Sequence, residues 1–99
     1  MTHQPEGPAR IVEHDAAGHR YVLRVGQDEA GTLTYALRDG AVVLEHTVVD
    51  PSRREKGLGS QLVRFALDDV RASGRRVVPQ CPFVRAYLDR HPVDADLAM

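Results

Sequence analysis

Residues 50–60 contain the combination of side chains and backbone best suited to holding a phosphate. The stretch combines two glycines with three basic residues: Gly57, Gly59, Arg53, Arg54 and Lys56. Apolar residues then recur at intervals of three and four, so a helix is predicted to begin here. A helix start offers unpaired N–H groups and partial positive charge, and glycines let the backbone approach an anion closely. The pattern predicts a pyrophosphate-binding loop; the alternative is a helix-initiating turn with solvated basic side chains.

This spacing differs from the two best-known nucleotide-binding loops. The dinucleotide fingerprint needs a third glycine, and the P-loop needs Gly-Lys-Ser/Thr after a gap of four residues. Neither pattern occurs in residues 50–60. The phosphate prediction therefore depends on the helix start rather than on either motif.

Three other side chains are candidates for acid–base or nucleophilic chemistry. Cys81 is the single cysteine and precedes a predicted helix, whose N-terminus stabilises a thiolate that could accept an acyl group. The alternative for Cys81 is a small buried apolar residue. His46 alternates with Val42, Leu44 and Val48 and is predicted to share their strand face; it is a general-base candidate or a histidine bonded to backbone. Glu45 is predicted to point to the opposite face, as a solvated strand residue.

Period-two alternation followed by helical periodicity predicts the elements that position these residues. A short apolar pair at residues 11–12 precedes predicted antiparallel strands at 20–25, 32–38 and 41–48, with residues 26–31 as a turn. Asp39-Gly40 favours a tight hairpin, because both residues tolerate positive φ. A helix at 57–73 with Gly74 after its end, a strand at 75–79 parallel to the third strand, and a helix at 82–90 that buries Phe83 or Val84 follow. The order predicts an α+β fold with a mixed, mostly antiparallel sheet and two helices.

Length and composition limit the protein to one ordinary globular domain. The chain has 99 residues and a formal net charge of −1, which argues against a nucleic-acid partner or binding to an anionic membrane. We expect a flexible leader over residues 1–9, a single domain over 10–99 with a weakly held tail after residue 92, and a cytoplasmic location. The five histidines show no metal-ligand spacing, so no metal site is predicted.

Several blocks of the sequence together resemble a known family. Arg54-x-x-Gly57-x-Gly59 follows an apolar strand, and the blocks 44–51, 57–63, 78–84, 87–88 and 91–92 occur in the same order as in relatives. This arrangement resembles the small single-domain branch of the GCN5-related N-acetyltransferase superfamily. The resemblance covers most of residues 20–92 and implies a minimal acyl-CoA N-acyltransferase-like fold, with acetyl-CoA as co-substrate.

The resemblance also assigns coenzyme contacts to particular positions. It implies that Thr47, Val48 and Val49 flank the pantetheine. The residues that would line the pyrophosphate are Arg54, Glu55, Lys56, Gly57, Leu58, Gly59 and Ser60. Close relatives often have glycine where Glu55 stands, so its carboxylate weakens phosphate binding unless it faces solvent or pairs with Arg53 or Lys56.

The implied reaction transfers an acetyl group to an amine of a small molecule or a protein. In this reaction His46, near the predicted thioester, would assist proton removal during direct attack, or Cys81 would be acetylated in a two-step route. In larger members of the superfamily a glutamate in the strand of Glu45 acts as a base through water. Tyr87 either donates a proton to the leaving sulfur or packs in the core. The alternative function is a module that binds CoA or acyl-CoA without turnover. The protein is predicted to be a monomer or a homodimer, since so short a chain leaves the acceptor site open or completed by a second subunit.

Overall fold

A five-stranded sheet with two helices forms the framework of the protein. The computed structural model describes residues 9–53 and 55–99. The strands lie in the spatial order β1-β2-β3-β4-β5. The elements are β1 (Arg10–Asp15), β2 (Arg20–Val25), β3 (Asp28–Arg38), β4 (Ala41–Val49), α1 (Leu58–Ala72), β5 (Val77–Pro79), α2 (Pro82–Arg90) and a 3₁₀ helix (Pro92–Leu97).

The sheet is mixed, with antiparallel pairing everywhere except at β5. Strands β1 to β4 pair as antiparallel neighbours, and β5 lies parallel to β4 after the α1 crossover. At the β3–β4 turn, Asp39 and Gly40 have φ values of 53° and 80°. The predicted hairpin, the parallel final strand and the α+β class are therefore confirmed.

The first half of the sheet contains more strand than the alternation pattern predicts. The apolar pair at residues 11–12 belongs to a full strand, β1, so four antiparallel strands precede the helix rather than three. Strand β3 begins at Asp28, so the turn covers only residues 26–27 of the predicted 26–31. An irregularity in the β2–β3 register accommodates Ala30, which is almost fully buried at 1% exposure. Because Ala30 is an extra buried residue in the strand, it interrupts the alternation of apolar and polar residues by which the start of β3 would be recognised.

Helix α1 packs its apolar face against one side of the sheet. The helix begins one residue after the predicted start, with Gly57 at the N-cap, and ends at Ala72. Gly74 has a φ of 76°, as predicted for the residue that follows a helix. The core joins this helix to β2, β3, β4 and α2 through fully buried side chains, among them Leu23, Leu33, Leu44, Leu62, Leu67 and Val84.

The segment after α2 is packed rather than weakly held, so the prediction for the tail is wrong. Its 3₁₀ helix buries Leu97 and Asp94, and Ala98 forms a parallel bridge with Val77. Asp94 accepts hydrogen bonds from Arg64 on α1 at 2.6 and 3.0 Å. The sequence shows a proline and a polar tail, but not the distant arginine that neutralises Asp94.

Most of the predicted leader, residues 1–8, lies outside the described residues. Ala9 is described, and its carbonyl accepts a hydrogen bond from Gly26 at 2.8 Å, so this residue extends the β1–β2 ladder. The described helices are all too short or too polar to cross a bilayer.

Candidate functional site

Strand β4 separates from β5 halfway along its length. The parallel pairing extends only from Val42–Val77 to Leu44–Pro79. The Leu44 carbonyl then accepts hydrogen bonds from both Gln80 and Cys81, at 3.1 and 2.9 Å, where the chain turns into α2. Beyond this point β4 pairs with β3 alone, among the strands that the structure describes. The second half of β4 therefore has an open edge.

A β-bulge at Glu45 marks the point of separation and reverses the alternation of β4. Thr34 lies opposite His46, but the next residue, Tyr35, lies opposite Leu44. Glu45 is thus an extra residue in the ladder, and the side chains after it change faces. His46 is exposed on the helix-free face, so the predicted shared face with Val42 and Leu44 is wrong.

The bulge also directs peptide groups of β4 toward its open edge, which borders the cleft where β4 and β5 separate. The Asp50 N–H bonds to the Ala30 carbonyl at 2.8 Å, so this peptide group faces β3. Because peptide groups alternate along a strand, those of Thr47 and Val49 face the open edge. The side chain of Thr47 lies opposite buried Leu33 and so is on the helix side, whereas Val48 is 59% exposed on the other face.

Cys81 lies at this edge with its sulfur against β4. The Thr47 hydroxyl is 3.3 Å from Sγ, and Cys81 occupies the N-cap of α2 with Pro82 at the first helical position. Burial raises the pKa of the thiol. Hydrogen bonds lower it by more, and their donors are the Thr47 hydroxyl and the N–H groups of Val84, Phe83 and Thr47. The net effect lowers the pKa of Cys81, as expected for a thiol at a helix N-terminus. Although its exposure is only 3%, the sulfur is therefore surrounded by donors rather than by apolar groups alone.

We predict that Thr47→Val raises the pKa of the Cys81 thiol, because it removes the strongest hydrogen bond to the thiolate. The far-ultraviolet thiolate absorbance, followed against pH, measures this directly, since the chain has one cysteine. Thr34→Val is the matched control, because Thr34 lies on the same sheet but opposite His46. An unchanged titration curve in the Thr47 variant would contradict the geometry described here.

Backbone N–H groups in the first turn of α1 receive no hydrogen-bond acceptor from the described part of the loop between β4 and α1. Asp50 fixes the start of the loop by accepting hydrogen bonds from the Ser52 N–H and hydroxyl at 2.9 and 2.8 Å. Gly57 has a φ of 77°, which only glycine adopts without strain, and its carbonyl accepts the Gln61 N–H. Within residues 9–53 and 55–99, the N–H groups of Leu58, Gly59 and Ser60 have no hydrogen-bond acceptor. These amides can receive an anion.

Gly59 and Phe83 connect the loop to the neighbourhood of Cys81. A Cβ atom at Gly59 would lie 2.7 Å from the Phe83 ring, so this ring rests directly on the α1 backbone. Phe83 remains 39% exposed, whereas Val84 supplies the buried contact predicted for one of the two. Sequence analysis missed the Gly59–Phe83 contact, because the spacing of two separate helices gives no signal for it.

Charged side chains around the loop are partly paired with one another. Arg53 donates to Glu55 at 3.2 Å and to Asp28 at 3.1 Å, so Glu55 takes one of its two predicted alternatives. Lys56 is exposed, and its carbonyl accepts from Arg10 at 3.1 Å. Arg54, also predicted to contact phosphate, lies outside the described residues.

The predicted chemical residues are thus only partly brought together. Thr47 and Cys81 meet in the cleft, and His46 emerges on the opposite face of the same strand. Tyr87 is buried at 3% exposure, with its hydroxyl accepting from Arg64 at 3.3 Å and its ring stacked on His91. The described residues contain no cluster of three or more His, Cys, Asp or Glu suited to a metal.

Comparisons with known proteins agree with this arrangement. The chain is similar in structure to a GCN5-like candidate N-acetyltransferase from Staphylococcus aureus, solved by NMR, with a TM-score of 0.69 and 17% identity over 90% of this chain and 87% of that one. At this identity the likeness concerns the fold. The search of curated proteins found no match. The family model for GCN5-related N-acetyl-transferases matches residues 20–97. The chain therefore belongs to the GCN5-related N-acetyltransferase family.

Proposed function

We propose that this protein transfers an acetyl group from acetyl-CoA to an amine of a small molecule or a protein. The observation that supports this function best is the open edge of β4. It leads from the Cys81 sulfur at Thr47 to the unpaired amides that begin α1. An acyl carrier with a diphosphate at one end and a thioester at the other matches these two ends.

In the proposed complex, the coenzyme lies along β4 and its diphosphate meets α1. The N–H groups of Leu58, Gly59 and Ser60 bind the diphosphate, and the peptide groups of Thr47 and Val49 pair with the pantetheine amides. Val48 flanks the same stretch. Lys56 and Arg54 add positive charge near the phosphates. The pairing of Glu55 with Arg53 reduces the repulsion that its carboxylate would otherwise exert.

The environment of Cys81 favours the two-step route. The Cys81 thiolate attacks the acetyl carbonyl, a new C–S bond forms as the bond to the coenzyme sulfur breaks, and the departing thiolate takes up a proton. The amine nitrogen then attacks the acetyl-cysteine, an N–C bond forms as the S–C bond breaks, and the proton of the amine passes through water to His46, because His46 and the Cys81 sulfur lie on opposite faces of β4. In the alternative route the amine attacks the thioester directly, and Cys81 only lines the cleft.

A thermal-shift titration tests the coenzyme. We expect CoA and acetyl-CoA at about 100 times Kd to raise the melting temperature by roughly 10 °C or more, since such a ligand adds about 2.7 kcal/mol to the stability of a small domain. Dephospho-CoA is expected to give a smaller shift, because it lacks one phosphate for the basic loop. No shift with any of the three would refute the proposal. Binding without transfer to any of a panel of amines would instead indicate the non-catalytic module.

Charge variants of the loop test where the diphosphate binds. Glu55→Gln is expected to tighten CoA binding severalfold and Lys56→Gln to weaken it by a similar factor, because each changes one charge near the phosphates. Calorimetric titration at low and high salt measures both effects, which should shrink as salt is added. Arg38→Gln, an equal loss of charge at the far end of β3, is the matched control. Equal affinities in all four proteins would place the diphosphate elsewhere.

A further inference from the structure

A second concavity lies at the other end of α1. It has a volume of about 350 Å³, is open to solvent on one side, and is lined by residues of β1 to β4, the last turns of α1 and the segment that follows α1. Asp69, which contributes to its wall, follows Gly59 by ten residues, about 15 Å along a helix. The side chains that line it include His14, His19, Tyr35, Leu37, Asp69 and Arg75. This cavity is therefore separate from the open edge of β4.

One wall of the cavity is a fixed network of rings around Asp69. His14 Nδ1 lies 3.1 Å from Asp69 Oδ2, and His14 Nε2 lies 2.7 Å from the Tyr35 hydroxyl. The Tyr21 hydroxyl donates to the same Oδ2 at 2.8 Å. Burial raises the pKa of both tyrosines, so both phenols remain protonated donors. A neutral His14 that donates from Nδ1 and accepts at Nε2 satisfies every one of these bonds.

Stacked rings form much of this wall. The His14 ring stacks on Tyr21 with centroids 4.5 Å apart, and the His19 ring stacks on Tyr35 at 5.2 Å. Leu37, which is 46% exposed, extends the surface with apolar area. A preformed aromatic and apolar wall of this kind is typical of small-molecule sites.

Two side chains of opposite charge, Asp69 and Arg75, line the cavity without pairing with each other. Asp69 uses only Oδ2 in the ring network, and its Oδ1 has no partner among the residues that the structure describes. Arg75 makes no side-chain hydrogen bond or ion pair there either, although its charge acts on the Tyr35 hydroxyl. The two groups line the same cavity but do not form a salt bridge with each other. A ligand that carries both a positive and a negative group would pair with Asp69 and Arg75 at the same time.

We propose that this cavity binds an α-amino acid with an apolar side chain. The ammonium group donates to Asp69 Oδ1, the carboxylate accepts from the Arg75 guanidinium, and the side chain packs on Tyr35 and Leu37. Guanidinium–carboxylate pairs are strong and geometrically specific, so loss of either ligand charge should be costly. This site is independent of the proposed acetyl transfer and does not require coenzyme.

Three matched ligands test the proposal by NMR titration of the full chain. We expect L-phenylalanine to shift the ring resonances of His14 and His19. N-acetyl-L-phenylalanine lacks the ammonium group and L-phenylalanine methyl ester lacks the carboxylate, so each should bind at least about tenfold more weakly. Absence of shifts with L-phenylalanine at roughly 10 mM, a range that detects even weak binding, would overturn the proposal. Equal affinity for the three ligands would overturn it as well.

A pair of arginine variants locates the carboxylate. Arg75→Gln should weaken L-phenylalanine binding about tenfold and leave the weak binding of the methyl ester unchanged. Arg38→Gln removes an equal charge from β3 outside the cavity and should change neither affinity. Because Arg75 has no side-chain partner among the described residues, its variant is expected to keep the fold, which the circular dichroism spectrum checks. Equal weakening of both ligands by Arg75→Gln would show that the arginine does not recognise the carboxylate, and would refute the assignment.

Discussion

Cys81→Ala is expected to abolish the acetyl adduct that the native protein forms with acetyl-CoA. Rapid-quench mass spectrometry should detect a mass increase of one acetyl group in the native protein and none in the variant. Transfer to an amine should fall on the order of 100-fold or more, because the activated nucleophile is lost. The physical basis is the lowered pKa of a thiol that receives hydrogen bonds from Thr47 and from the start of α2.

The His46→Gln variant separates the two steps of this route. Proton removal from the amine belongs to the second step, so the acetyl adduct should still form and then decay slowly in the presence of amine. If native protein shows no adduct and Cys81→Ala keeps the native rate, the amine attacks the thioester directly and the covalent route is wrong.

Asp94→Asn is expected to produce a large loss of stability. Asp94 is 4% exposed, and Arg64 contacts both of its carboxylate oxygens, with Arg71 at 3.5 Å. An asparagine side chain has one oxygen acceptor and one NH₂ donor group, so its NH₂ group faces the guanidinium donors and one of their hydrogen bonds is lost. We therefore expect the free energy of unfolding to fall by about 2–3 kcal/mol, less than for a fully buried pair because Arg64 is partly exposed. Urea unfolding at neutral pH measures the loss.

An exposed ion pair of the same segment provides the control. Asp96→Asn breaks the bond from Arg71 at 2.9 Å, in which both side chains reach solvent, and should cost less than about 1 kcal/mol. Equal losses in the two variants would show that the burial of Asp94 has no special effect.

The stabilising effect of Asp94 should depend on pH in a defined direction. Hydrogen bonds from Arg64 lower the pKa of Asp94 below that of an unfolded aspartate, even though burial opposes them. The ionised carboxylate therefore stabilises the fold fully above about pH 4 and loses this effect as the pH falls through its lowered pKa. The stability difference between native protein and Asp94→Asn should shrink in acid. A difference that stays constant down to low pH would contradict this role.

Local sequence signals predicted the elements whose conformation depends on near neighbours. The Asp39-Gly40 hairpin, the span of α1 and Gly74 after its end follow from φ preferences and apolar spacing, which act over a few residues. The order of blocks around Gly57 and Gly59 likewise predicted the family that the match over residues 20–97 shows. The coenzyme-binding roles of these loop residues and the role of His46 as a base stay predictions.

Contacts between distant segments decided the features that the pattern could not predict. The extra residue Glu45 depends on how β3 aligns with β4, and it alone moves His46 to the opposite face. The packing of the tail depends on Arg64, 30 positions from Asp94, and the hydroxyl that contacts the Cys81 sulfur belongs to Thr47, 34 positions away. The sequence by itself determined most of the helix and strand segments, because those preferences are local, whereas the full length of β1 and the start of β3 also depend on pairing with neighbouring strands. Only the tertiary structure decided which side chains meet, since register and burial are set by the packing of the whole chain.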